Sequence, residues 1–85
     1  MNKYYINPNY VINQTEDFYT IFTENVDKVF ILHDLESKIL LTFNEPMSIE
    51  IAVNIISKNF SEETFNKSEC IQYINELIKN RILIC

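Results

Sequence analysis

The side chains able to do chemistry in this chain are few and scattered. Its single histidine, His33, is the first candidate for a general base. No nucleophile or metal-ligand motif accompanies it, and a solitary histidine at the end of an apolar run usually makes a structural hydrogen bond. Cys70 and Cys85 form no C-x-x-C pair and have no histidine at ligand spacing, which argues against zinc or redox chemistry. Cys70 falls inside a helical pattern and reads as a core residue, whereas Cys85, the last residue, reads as a frayed thiol. The neighbouring carboxylates of Glu62 and Glu63 read as a solvated turn, because an acid/base pair needs a pocket around it. Glycine is absent from the chain, so a glycine-rich phosphate loop cannot form. The expectation is a protein with no catalytic activity, no metal and no cofactor.

Recognition is the chemistry that the spacing does support. The run Lys28-Val29-Phe30-Ile31-Leu32-His33 reads as a strand that is apolar on both pleat faces, Phe30 and Leu32 on one and Val29 and Ile31 on the other. A layer of helices covers one face of such a strand, and an open edge of this kind is an aggregation hazard unless something pairs with it. Near the C-terminus a helical pattern beginning at Lys67 or Ser68 carries two stripes, one of Cys70, Tyr73, Ile74 and Leu77 and a second of Ile71, Ile74 and Ile78. Together they make a face wider than one contact needs. For Val29 and Ile31 the competing reading is a core strand whose second face is covered by the tail Ile82-Leu83-Ile84. For Phe30, Leu32, Tyr73 and Leu77 membership of the core is the default.

Around these segments, the chain divides into strands followed by helices. Tyr10–Asn13 and Phe18–Thr23 read as two further strands, and the polar stretch 24–27 suits a four-residue hairpin loop before Lys28, giving an antiparallel meander of three. Asp34 is a candidate N-cap for a short helix reaching Asn44, and Ser48 caps a second in which Ile49, Ala52, Val53, Ile55, Ile56 and Phe60 recur at helical spacing. Asn44 and Asn80 stand where helices end and, without glycine, are expected to take the left-handed positions. Ile82–Ile84 reads as a closing strand or a tail packed back on the sheet. The pattern is α+β, winged-helix-like, with a three-stranded antiparallel sheet followed by three helices in one domain, residues 1–85.

Twelve acidic residues against seven basic ones, a net charge of −5, disfavour nucleic acid and anionic membrane surfaces as partners. No stretch approaches the roughly 18 apolar residues of a membrane span, and the first residues lack the layout of a signal peptide, so a cytoplasmic protein is expected.

In this layout the chain resembles the PqqD-like family, the peptide chaperone of pyrroloquinoline quinone assembly and the related precursor-recognition elements of ribosomally made, modified peptides. Val29–Phe43 is similar to that family's strand leading into its first helix, with His33 where asparagine is usual. Met47–Ile56 resembles its second helix, and Cys70–Leu83 its third helix with the closing apolar residues. Asn44 and Asn80 depart from the pattern by standing where the family commonly has glycine. The resemblance implies a domain that binds the leader of a precursor peptide by strand addition and presents it to a separate modifying enzyme, of radical, protease or cyclase type. It implies further that Lys28, Val29, Phe30, Ile31 and Leu32 supply the edge and its floor. Ile71, Ile74 and Ile78 would then wall the cleft, with Lys67 or Lys79 at its rim. Two other readings compete: a winged-helix DNA-binding regulator, which Glu69 and Glu76 on the third helix disfavour by offsetting its lysines, and a homodimer formed through the same strand.

Overall fold

Alternation of side chains along short apolar runs builds the sheet. In the computed structural model, residues 2–23, 29–60 and 65–85 are described. After a two-residue strand β1 (Tyr5–Ile6), strands β2 (Val11–Gln14), β3 (Tyr19–Phe22) and β4 (Val29–Leu32) form an antiparallel sheet in the order β2-β3-β4. The three expected strands are therefore present, the first shifted by one residue and the other two shorter than the runs that announced them. The stretch read as a hairpin loop, 24–27, lies outside the described residues, as does Lys28.

The β2–β3 connection is held by Thr15, whose N–H and hydroxyl both donate to the Phe18 carbonyl, at 2.8 and 2.7 Å. That turn sets a register in which Ile21 stands opposite Ile12 on one side and Phe30 on the other. Ile12, Ile21 and Phe30 thus share the face turned toward the helices, and Ile21 is wholly buried there.

Helix α1 (Asp34–Thr42) starts one residue earlier than the capping rule suggested. His33, extended at φ −86°, is the N-cap in place of Asp34, and its N–H donates to Glu36 Oε1 at 3.4 Å. Asp34 is instead the first helical residue, where a carboxylate faces the positive end of the helix dipole and pairs with Lys38 at 3.6 Å. Helix α2 (Ile49–Lys58) is capped as expected, Ser48 Oγ accepting from the Ile51 N–H at 3.3 Å. Helix α3 (Lys67–Lys79) is capped by Asn66, whose Oδ1 accepts from the Glu69 N–H at 3.1 Å. Glu62 and Glu63 fall outside the described residues.

The left-handed position differs from expectation. Among the described residues only Arg81 has positive φ, at 60°, while Asn80 keeps φ −85° and Asn44 is not left-handed. After Asn80, the Arg81 N–H donates to the Ile78 carbonyl at 3.0 Å and the Ile82 N–H to the Leu77 carbonyl at 2.9 Å. These two bonds are the Schellman pattern, which demands a left-handed residue one step beyond the cap and an apolar contact across it. Leu77 and Ile82 are both buried in the core, so the chain reverses there even though an arginine must occupy the strained position. At the end of α1, by contrast, Phe43 and Asn44 donate three residues back to Leu40 and Leu41, a tightened last turn that needs no left-handed residue.

After this reversal the tail runs as β5 (Leu83–Ile84), antiparallel to β1, with Tyr5 opposite Ile84 and Ile6 opposite Leu83. The N-terminal segment is further fixed by reciprocal bonds between Tyr4 and Met47, 2.8 and 3.0 Å, and by the Asn7 N–H on the Ile82 carbonyl at 2.8 Å. Ile21, Leu40, Phe43, Ala52 and Ile74 are fully inaccessible and form the centre of one core shared by the sheet and all three helices.

Two substitutions test this packing by urea denaturation. Ile21→Ala is expected to lower the unfolding free energy by about 2–5 kcal/mol, because it opens a cavity at the centre of the core. Arg81→Gly is expected to raise it by about 0.5–1 kcal/mol, relief of the left-handed strain exceeding the added chain entropy. A loss of stability in the glycine variant would contradict the assignment of strain to that residue.

Candidate functional site

β4 is an edge strand. It pairs with β3 on one side, and among the described residues none of its backbone groups bonds to anything else. In an antiparallel strand alternate residues direct both N–H and C=O to opposite sides, so half of these groups face outward, unpaired. The edge is apolar as well: Val29 and Ile31 remain 59% and 54% exposed on the face away from the helices. Leu32 is buried and Phe30 half-buried against the core, so these two contribute backbone and floor rather than accessible side chains.

The exposed pair belongs to a larger uncharged surface. Register places Val11, Phe22 and Val29 in one cross-strand row and Asn13, Thr20 and Ile31 in the next. Phe22 was not singled out by the sequence, because its place beside Val29 depends on strand pairing and not on local spacing. The opposite edge, β2, ends in Asn13 and Gln14 and is the more polar of the two. β4 has neither a charge nor a proline within its four residues, the usual devices that discourage pairing with another chain.

The protein's own tail does not cover this surface, since β5 is paired with β1. On α3 the expected wall is largely absorbed by the core. Ile74 is fully inaccessible, and Ile71 and Ile78 are half-buried against the core cluster, while Lys67 and Lys79 are exposed at the two ends. The face that looked too wide on the sequence is filled by the first two helices and the tail. On the same helix, Tyr73 is half-buried against the core cluster. Its phenol is raised well above its ordinary range, by burial first and then by the negative charge of Glu36 in the first turn of α1. Among the described residues the buried Tyr73 hydroxyl has no hydrogen-bond partner, and neither has Thr23 Oγ1 just beyond β3.

Among the described residues no group of three His, Cys, Asp or Glu side chains is placed to hold a metal ion. His33 is an exposed helix cap, Cys70 is buried and Cys85 exposed, both as free thiols. Surface cavities are found at several places among the described residues, one of them at the end of β4. One of about 440 Å³ is lined by Lys38, Leu41, Ile56 and Phe60 between α1 and α2, with the Lys38 ammonium 4.9 Å from the centre of the Phe60 ring. A second, of about 400 Å³, lies under the β2–β3 turn beside Leu32 and Asp34, and the third is at the end of α3. No helix is long and apolar enough to cross a membrane among the described residues.

Compared with known proteins, the chain matches no family model, no curated protein and no solved structure.

The buried thiol and phenol have a measurable consequence. Burial raises Cys70 above its ordinary 9.0 and Tyr73 above its ordinary 10.0, so the folded protein keeps both protons to higher pH than the unfolded chain does. Their contribution to stability is complete below those ordinary values and is lost as pH rises above them. The urea midpoint is expected to fall between about pH 8.5 and about pH 11, and Tyr73→Phe, neutral or slightly stabilising at pH 7 because it removes an unpaired hydroxyl, is expected to flatten that fall. A midpoint that stays level in the parent protein would contradict the burial of these groups. Thiol labelling of the native protein is expected to modify Cys85 at once and Cys70 only on unfolding.

Proposed function

We propose that this protein is a peptide-docking domain that captures the extended leader of a ribosomally made precursor by adding it as a fourth strand beside β4, and presents it to a separate modifying enzyme. The observation that carries the reading is the free outer side of β4, flanked by the exposed side chains of Val29 and Ile31. In strand addition the backbone bonds at the edge supply affinity, and pockets for alternate side chains of the incoming strand supply selectivity.

The resemblance of Val29–Phe43, Met47–Ile56 and Cys70–Leu83 to the PqqD-like family supports the same reading. Val29 and Ile31 are the side-chain anchors in this scheme, and Phe30 and Leu32 hold the edge rigid from below. From α3, Ile71 and Ile78 offer their remaining exposed surface, and Lys67 and Lys79 pair with acidic residues of the guest for about 0.2–1 kcal/mol each. Apolar anchoring therefore dominates affinity. Reading DNA with α3 would require a basic face, and its exposed charges alternate instead, Lys67 with Glu69 and Glu76 with Lys79.

The test is a titration with a synthetic leader from a short reading frame beside the gene, followed by amide NMR. Shifts are expected to cluster on Val29–Leu32 and to saturate at micromolar peptide. Ile31→Lys, at a half-exposed site, is expected to leave stability within about 0.5 kcal/mol and to weaken binding at least about tenfold. Shifts scattered away from β4, or undiminished affinity in that variant, would remove the proposal.

A further inference from the structure

The cavity of about 640 Å³ where the start of β2 meets the end of α3 has a composition unlike the rest of the surface. Asn7, Tyr10, Thr23, Asn80 and Arg81 are among its lining residues, and no Asp or Glu is found among the described ones. In a chain of net charge −5, it is here that the only arginine is placed. Arg81 is exposed and has no ion-pair partner among the described residues.

The backbone around that arginine is tightly framed. Asn7 Nδ2 donates to the Arg81 carbonyl at 2.9 Å, and Asn7 Oδ1 accepts from the Asn9 N–H at 3.0 Å. The Tyr10 hydroxyl donates to the Asn80 carbonyl at 3.1 Å, and Asn80 Nδ2 donates to the Glu76 carbonyl at 2.9 Å. These groups are spoken for, which leaves the Arg81 side chain as the charged group of the lining with no partner among the described residues. A second oddity lies in Arg81 itself: the helix end requires a left-handed residue there, and glycine or asparagine would meet that requirement with less strain. A strained residue at a cavity wall is a pointer to a role outside the fold.

We propose that this cavity binds a carboxylate group, with the Arg81 guanidinium as its charge partner. One guanidinium matches a planar, singly charged carboxylate through two parallel N–H donors. A phosphate dianion would meet one positive charge inside a strongly negative protein, which favours the smaller anion. The carboxylate comes either from a small free acid or from the carboxy end of a peptide, and the site is independent of whether β4 accepts a strand.

The full chain, labelled so that the Arg81 side-chain Nε is visible by NMR, is titrated at constant ionic strength with acetate, with N-acetyl-dialanine as the free acid, and with the amide of the same dipeptide. Saturable shifts of Arg81 Nε and of the Asn7, Tyr10 and Thr23 amides are expected with at least one carboxylate and not with the amide. Equal affinity for acetate and the dipeptide identifies a small acid as the ligand class, and tighter binding of the dipeptide identifies a peptide terminus. Arg81→Gly, which relieves the strain and so folds, is expected to lose affinity at least about tenfold, with Arg81→Lys between the two. The proposal is overturned by equal binding of the amide, by undiminished binding in Arg81→Gly, or by the absence of saturable shifts up to about 50 mM, which is weaker than any useful single-site affinity.

Discussion

The cross-strand alignment of Ile12, Ile21 and Phe30 decides what the rest of the molecule presents to solvent. Because side chains alternate along a strand, a slip of one residue between β3 and β4 would drive Val29 and Ile31 into the core and bring Phe30 and Leu32 out. The register is held from both directions, by the Thr15 turn that ties β2 to β3 and by the burial of Ile21 against all three helices. With that alignment in place, the helices occupy one side of the sheet, and the other side keeps an apolar row formed by Val11, Phe22 and Val29.

A second constraint keeps the edge open. The C-terminal tail is apolar enough to have lain on the outer surface of the sheet, yet the reversal at Arg81 sends it to β1 instead. Leu77 and Ile82 draw the turn into the core, and Tyr4, Asn7 and Met47 anchor the N-terminal segment that receives the tail. The N-terminal segment and the tail thus satisfy each other's backbone groups, and among the described residues β4 is left with one paired and one unpaired flank. The same reversal holds the lone arginine at the wall of a cavity lined by neutral polar groups, so one turn shapes both surfaces discussed above.

Much of this layout was legible in the residues. Helix α2 followed from Ser48 and the spacing of Ala52, Val53 and Ile56, and the meander followed from three apolar runs separated by polar stretches. The short strand β1 was not legible, because two residues have no period and their pairing with Leu83 and Ile84 is made across the whole length of the chain. The cap of α1 was displaced by one residue because His33 and Asp34 can each serve, and backbone geometry rather than side-chain preference chose between them. The left-handed position was assigned to Asn80 on propensity, whereas the Schellman bonds place it one residue later whatever side chain stands there. On α3 the stripe of Ile71, Ile74 and Ile78 could equally line a cleft or complete a core, since periodicity marks apolar faces without saying what they touch; Ile74 proves to be core throughout.

Native-state amide hydrogen exchange of the protein alone bears most directly on the unpaired flank of β4. The amides of β4 are expected to divide by parity, two alternate members of Val29–Leu32 exchanging slowly through their bonds to β3 and the other two exchanging at nearly the rate of an open chain. Slow exchange at all four would mean that another part of the chain, or a second copy of it, already occupies that flank, and the account of an open docking strand would be wrong.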